Sequence, residues 1–229
     1  MKLAHGLVGC VLAAAALLAP SAALADHASI GILAGTPGIG LQLGLPLGKK
    51  VGLRLQEQSL GANASGFTSS LDSNDNAYAA QLSVHTYTLL VDLHPFGDAF
   101  TFSLGAMQPN IQLSGVATAD QQGTIFIGGV PFADSFGGEL AGSLKWKQTA
   151  PYVGIGFSQA RPRGGISVGI DVGAAFIGAP AATLSGTGIA TIDQAQFEAD
   201  LTAERESLQK SASGIDVYPV ATVGVNYTF

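Results

Sequence analysis

Along residues 165 to 176 the chain alternates strictly. Ile166, Val168, Ile170, Val172, Ala174 and Phe176 fall on one parity, and Gly165, Ser167, Gly169, Asp171, Gly173 and Ala175 on the other. A period of two is the signature of a strand with two chemically different faces, not of a helix. The same design recurs. Phe100, Phe102, Leu104 and Ala106 alternate with Thr101, Ser103, Gly105 and Met107; Val153, Ile155 and Phe157 with Tyr152, Gly154, Gly156 and Ser158; Val51, Leu53 and Leu55 with Gly52 and Arg54. In a soluble sandwich the polar face would carry Lys, Glu and Thr for water. Here it is mostly Gly, Ser and Thr. Small polar residues facing inward and bulky apolar residues facing outward describe a barrel in lipid.

Turn signals divide the chain into short and long connections. Leu47 to Lys50, His94 to Asp98 and Ala160 to Gly164 are short; Gly61 to Ala77, Gly115 to Gly142 and Ala182 to Gly214 are long. This asymmetry is that of outer-membrane barrels, with short periplasmic turns and long extracellular loops. The apolar parity changes between Ile30 and Ile32 and the set Ile39, Leu41, Leu43 and Leu45, with Thr36-Pro37-Gly38 between them. A turn there raises the count from seven strands to eight: 28–36, 38–46, 51–60, 78–93, 99–114, 143–158, 164–178 and 214–229. The fold class expected is therefore all-β, an eight-stranded antiparallel transmembrane barrel. At its end Val223, Val225, Tyr227 and Phe229 share one parity, as in the terminal strand signal by which the barrel-assembly machinery recognises its substrates.

The first residues have another character. Lys2, the apolar stretch Leu7 to Leu18, and Ala23-Leu24-Ala25 before Asp26 form a charged start, an apolar middle and a small-residue cleavage site. Residues 1–25 are expected to be a signal peptide and 26–229 the barrel domain. Beyond residue 25 no run approaches the roughly 18 apolar residues that a spanning helix needs.

Composition narrows the function classes. Of 229 residues only 11% are charged and 31 are glycine, and ten basic residues stand against sixteen acidic ones. Without Lys2 nine basic residues remain, a formal charge of −7, so the basic footprint of a nucleic-acid binder is missing. The single cysteine, Cys10, lies in the leader, which removes disulfide, thiol and cysteine-metal chemistry from the mature chain. His27, His85 and His94 lack metal-ligand spacing with carboxylates. Gly38, Gly40 and Gly44 read as strand glycines rather than a nucleotide cradle. No cofactor is expected.

Ser83 and His85 share a strand face, and a catalytic trio would need an acid within hydrogen-bond reach. Asp92, seven residues from His85, stands roughly 20 Å or more along a strand, at about 3.3 Å per residue, which leaves two polar lumen residues as the simpler reading. Asp193 to Ala212 is the helical segment of the last loop, with Phe197, Leu201 and Leu208 packing on the rim; Gly123 to Phe132 reads as a hairpin extending the middle loop.

The mature chain resembles the OmpA-like group of small eight-stranded outer-membrane proteins, in particular predicted proteobacterial barrels without an assigned activity. The resemblance rests on Leu89-Leu90-Val91-Asp92-Leu93-His94-Pro95-Phe96-Gly97, on Pro151-Tyr152-Val153-Gly154-Ile155-Gly156, and on Tyr218-Pro219-Val220 leading to Tyr227-Thr228-Phe229. It covers the strands from about residue 28 and the loops poorly. A monomer in the bacterial outer membrane is expected, in contact with lipid and reaching any surface partner through its loops.

Eight strands enclose a space that side chains can fill. The inward parity holds Arg54, Asp92, Asp171 and Asp216, and a charge buried there needs a partner. Arg54 is expected to pair with at least one acid, Asp171 first, and to close the lumen. The expected role is structural or one of surface interaction, with a narrow conduit for small or apolar solutes and a lipid-modifying enzyme as alternatives.

Overall fold

The computed structural model describes residues 28–68, 77–96, 99–118, 124–127, 130–158, 164–189 and 194–229. The leader 1–25, His27, Asp193 and the turn residues Gly97, Asp98 and 160–163 lie outside them. The elements in chain order are β1 (Ser29–Gly35), β2 (Gly38–Pro46), β3 (Val51–Thr68), β4 (Ala77–Leu93), β5 (Phe100–Thr118), β6 (Thr124–Ile127), β7 (Val130–Trp146), β8 (Ala150–Ser158), β9 (Gly165–Ala175), β10 (Ala181–Ile189), α1 (Gln194–Ala212) and β11 (Tyr218–Thr228). Antiparallel pairing runs β1, β2, β3, β4, β5, β8, β9, β11 and back to β1, with Ser29 opposite Thr228. The ring has eight strands and no edge.

The first hairpin forms where the parity changes. Gly35 pairs with Gly38 around Thr36 and Pro37, and Gly38 has φ +107°, a value open to glycine but strained for other residues. Thr36 Oγ1 donates to Pro219 O at 3.0 Å, tying the turn to β11. Residues 143–158, expected as one strand, are two. Trp146 faces Ile111 and Ala150 faces Met107 in one continuous register along β5, with a break at residues 147–149. Pro109 stands across β5 from the break and has no N–H to give, and Gln108 Nε2 donates to Lys147 O at 2.6 Å instead.

Much of what the sequence presents as long loops is sheet. β3 runs on to Thr68, β5 to Thr118, β7 starts at Val130, and β10 occupies 181–189, so β3, β4, β5, β7 and β10 continue beyond the ring as an open sheet. β10 pairs with β7 and not with β11. β6 and β7 form the hairpin expected of the middle loop, Ile127 opposite Val130.

The two parts of the sheet bury opposite faces. In the ring, Ile32, Ile155, Ile166, Val168, Ile170, Val172, Val223 and Val225 stand exposed outward, while Arg54, Gln56, Thr88, Asp92, Ser103 and Thr222 are buried inside. In the extension the apolar residues are on the inner face. One row there is Ala62, Leu82, Leu113, Leu144 and Ala182, and the outer row beside it is Gly61, Ser83, Gln112, Lys145 and Ala181. The solvent has changed: lipid surrounds the ring and water surrounds the extension, so each part turns its apolar side away from water. The small residues of the extension blur this alternation, which is why the sequence pattern reads as loop.

Helix α1 forms as the sequence predicts. Phe197 and Ala212 are buried and Leu201, Glu204 and Leu208 half-buried, a stripe at steps of four and three. Gln209 accepts from Ala182 N at 2.9 Å and donates to Pro180 O at 2.6 Å, so the helix satisfies backbone groups at the free end of β10.

Candidate functional site: the lumen

The lumen is filled in two layers. The upper one is apolar: Val84, Leu90, Met107, Ile111, Trp146, Tyr152, Ile177 and Val220 form one cluster, with Leu82, Leu144 and Tyr218 against it. Trp146 Nε1 donates to Ile215 O at 3.2 Å, drawing the segment before β11 onto the cluster. Gly173 leaves the space that the Tyr152 ring fills, since a Cβ there would collide with the phenol oxygen.

Beneath lies the polar layer, centred on Arg54. The guanidinium reaches from β3 across to β9 and sideways to β4 and β5. Its Nη1 donates to both oxygens of Asp171 at 2.9 Å. Its Nη2 donates to Asp92 Oδ1 at 2.9 Å and to Ser103 Oγ at 2.8 Å, and Nε stands 2.8 Å from Asp92 Oδ2. Ser103 Oγ in turn donates to Asp92 Oδ1 at 2.6 Å. The planar fork suits two carboxylates at once, as a single ammonium could not. Arg54 is only 7% exposed, so these bonds replace water that the buried cation has lost. A Cβ on Gly156 would come within 2.5 Å of Asp171 Oδ1, and the glycine thus leaves room for the carboxylate. Gln56 Nε2 donates to Gln42 Oε1 at 2.8 Å, and Gln42 Nε2 to Asn226 Oδ1 at 2.9 Å, extending the network towards β11.

On the side of Pro46, Lys49 and His94 the lumen keeps a cavity of about 290 Å³, lined by polar groups that include Ser167, Asn226, Thr228 and the Arg54 cluster. It lies at the end of the barrel that holds the short connections.

Of the four charges read as facing the lumen, Arg54, Asp92 and Asp171 meet. Asp216 does not: β11 begins only at Tyr218, and Asp216 is exposed, its backbone O accepting from Gly178 N at 3.0 Å. Its parity matches the lumen face, but the strand has ended before the lumen is reached. Ser103, Gln42 and Gln56 were missed by sequence reasoning, although Ser103 shares the inward parity of Thr101.

Ser83 and His85 are not lumen residues. They stand on the outer face of β4 with Tyr87 and Leu89, and the parity of Leu89 and Val91 carries that signal in the sequence. An acid does stand near the imidazole, Glu57 Oε1 at 3.4 Å from His85 Nε2. The ring, however, leans towards Glu57 and Tyr87, 4.8 Å between ring centroids for the latter, and no hydrogen bond joins it to Ser83. Nucleophile and base are therefore not engaged. Among the described residues no group of three or more His, Cys, Asp or Glu is placed to hold a metal ion, and no helix is long and apolar enough to cross a membrane.

Val223, Val225, Tyr227 and Phe229 face outward, the last two rings packing edge to face at 5.3 Å. Phe96, Phe100 and Phe157 add a second aromatic group at the same end of the barrel, at 6.0 and 5.2 Å between neighbouring rings. Aromatic girdles of this kind mark the membrane–water boundary. A closed ring without edges and with an apolar exterior belongs in the outer membrane.

No protein-family model and no curated protein matches the chain. Solved structures do. CarO2 of Acinetobacter baumannii superposes with a TM-score of 0.58 at 22% identity, over 89% of this chain and 98% of that one. CarO of the same organism gives 0.54 at 22% identity, over 92% and 100%. At this identity the likeness is one of fold.

Proposed function

We propose that the mature chain is a non-enzymatic outer-membrane barrel with a plugged lumen, serving as a structural element of the envelope and as a surface for partners reached through its extracellular part. The observation that supports this reading is the stacking in the bore: the Arg54 cluster, anchored on β3, β4, β5 and β9, lies under an apolar layer that includes Tyr152 and Trp146. Polar side chains fixed to both sides of the ring would have to break charged bonds to open a path. Purified protein in planar bilayers is expected to show no stable ion conductance. Steady, resolved channels from the unmodified chain would overturn the plug.

A second reading, a conduit for apolar solutes, draws support from the inner face of the extension, where Leu60 and Leu113 remain partly exposed above the apolar layer. It predicts that hydrophobic solutes cross protein-containing vesicles faster than plain ones, which the plugged barrel does not. The kinship to OmpA-like barrels is part of the proposal and rests on the segments around Leu89–Gly97, Pro151–Gly156 and Tyr227–Phe229. So is the leader: cleavage after Ala25 predicts an intact mass for the outer-membrane form equal to residues 26–229. A product starting at Cys10 or at Met1 would refute it.

A further inference from the structure

The cavity at the end of the short connections is bordered by glycines of two kinds. Some make room for a neighbour. A Cβ on Gly44 would stand 2.5 Å from Ser29 Oγ, one on Gly156 2.5 Å from Asp171 Oδ1, and one on Gly224 2.7 Å from Leu33 Cδ2. Gly52 and Gly169 make room for no side chain. Their nearest neighbours, Leu45 O and Ser158 Cβ, would lie 3.6 and 3.4 Å from a Cβ, an ordinary contact, and neither glycine has a positive φ. Both stand inside strands, where a glycine weakens the element and often marks the close approach of a ligand. The space that they leave bare is the cavity.

We propose that this cavity is a binding site for a neutral polyhydroxyl ligand, a single sugar ring that enters from the end of the short connections. The polar groups of the lining divide by what they still have to offer. The charged ones are spent: Asp92 and Asp171 hold Arg54, and with Lys49 the lining carries two basic and two acidic side chains. The neutral ones are not. The hydroxyls of Ser29, Thr101, Ser167 and Thr228, and Nδ2 of Asn226, have no hydrogen-bond partner among the described residues and are not shut off from solvent. A hydroxyl both donates and accepts, so the hydroxyls of the lining and those of a sugar can pair in either sense. A charged ligand finds no uncompensated counterion there and would give up its water without return. The size agrees: about 290 Å³ is the space of roughly ten waters at about 30 Å³ each, enough for one sugar ring.

The test titrates the refolded mature chain in detergent with glucose, followed by saturation-transfer NMR of the sugar. Binding is expected at roughly millimolar concentration, the strength that a few exchanged neutral hydrogen bonds support. Gly52→Leu, which puts a side chain into the cavity, should abolish it. Ser167→Ala and Thr228→Val should each weaken it about fivefold, as the loss of one such bond does. Gel mobility before and after heating shows that each variant is folded. Gluconate and glucosamine, sugars of the same skeleton carrying one charge, should bind about tenfold more weakly than glucose. Cellobiose separates two sources of the ring: binding equal to that of glucose supports a site for the end of a glycan chain, and its exclusion supports a site for free sugars. Three results would overturn the proposal: no transfer from glucose at about a hundred times the expected dissociation constant, binding by folded Gly52→Leu equal to the parent's, or tighter binding of either charged sugar.

Discussion

Arg54 joins four strands through one side chain. Two carboxylates and a hydroxyl converge on its guanidinium, so its removal leaves Asp92 and Asp171 buried, adjacent and of like charge. Breaking a buried pair by deleting one partner costs about 3–5 kcal/mol, because the remaining charge has neither water nor a counterion. Arg54→Ala is therefore expected to lower the stability of the folded barrel by about 3–5 kcal/mol in urea unfolding from lipid vesicles. Arg54→Lys should recover part of this, since an ammonium keeps the charge but cannot span both acids. If the alanine variant unfolds at the same urea concentration as the parent, the cluster does not stabilise the ring.

Strand β9 shows how an element divides its faces between two solvents. Ile170 is 53% exposed on the outside, while Ser167 lines the lumen cavity three residues away. An arginine on the lipid side near the midplane costs roughly 2–4 kcal/mol, and a methyl added on the lumen side meets a cavity. Ile170→Arg should reduce folding into vesicles much more than Ser167→Thr, as read by heat-modifiable gel mobility. Equal folding of the two would remove the facing assignment. In the extension the same alternation serves water on its outer side, so substitutions at Gln112 or Ser114 lie under a different rule from those at Leu104 although they share a strand.

At the scale of the whole molecule the ring closes only when β11 meets β1. Phe229 N donates to Ala28 O at 3.0 Å, and Tyr227 and Phe229 turn their rings to the lipid boundary. Deleting Phe229 is expected to lower the amount of folded barrel in the outer membrane while export across the inner membrane continues. An unchanged folded yield in cells would count against its role as an assembly signal. The short connections at one end and the open sheet with α1 at the other give the molecule two unlike ends.

Alternation by itself determined the class of fold, the lipid face of β3, β5, β8, β9 and β11 and the turn at Thr36-Pro37, because on a strand the parity of a residue is its side, whatever the strand pairs with. It also held the outward placement of Ser83 and His85, in step with Leu89, but the sequence reading set the pair in the lumen and the structure corrects it. Register was beyond it. Arg54 and Asp171 are 117 positions apart, and their meeting depends on how far each strand slides against the next around the ring, a quantity no single strand encodes. Where the strands leave the lipid was equally hidden, since the same glycines, alanines and serines serve a loop or a solvated sheet. Only the closed ring decided which inward charges come together, and it left Asp216 outside because its strand had not yet begun.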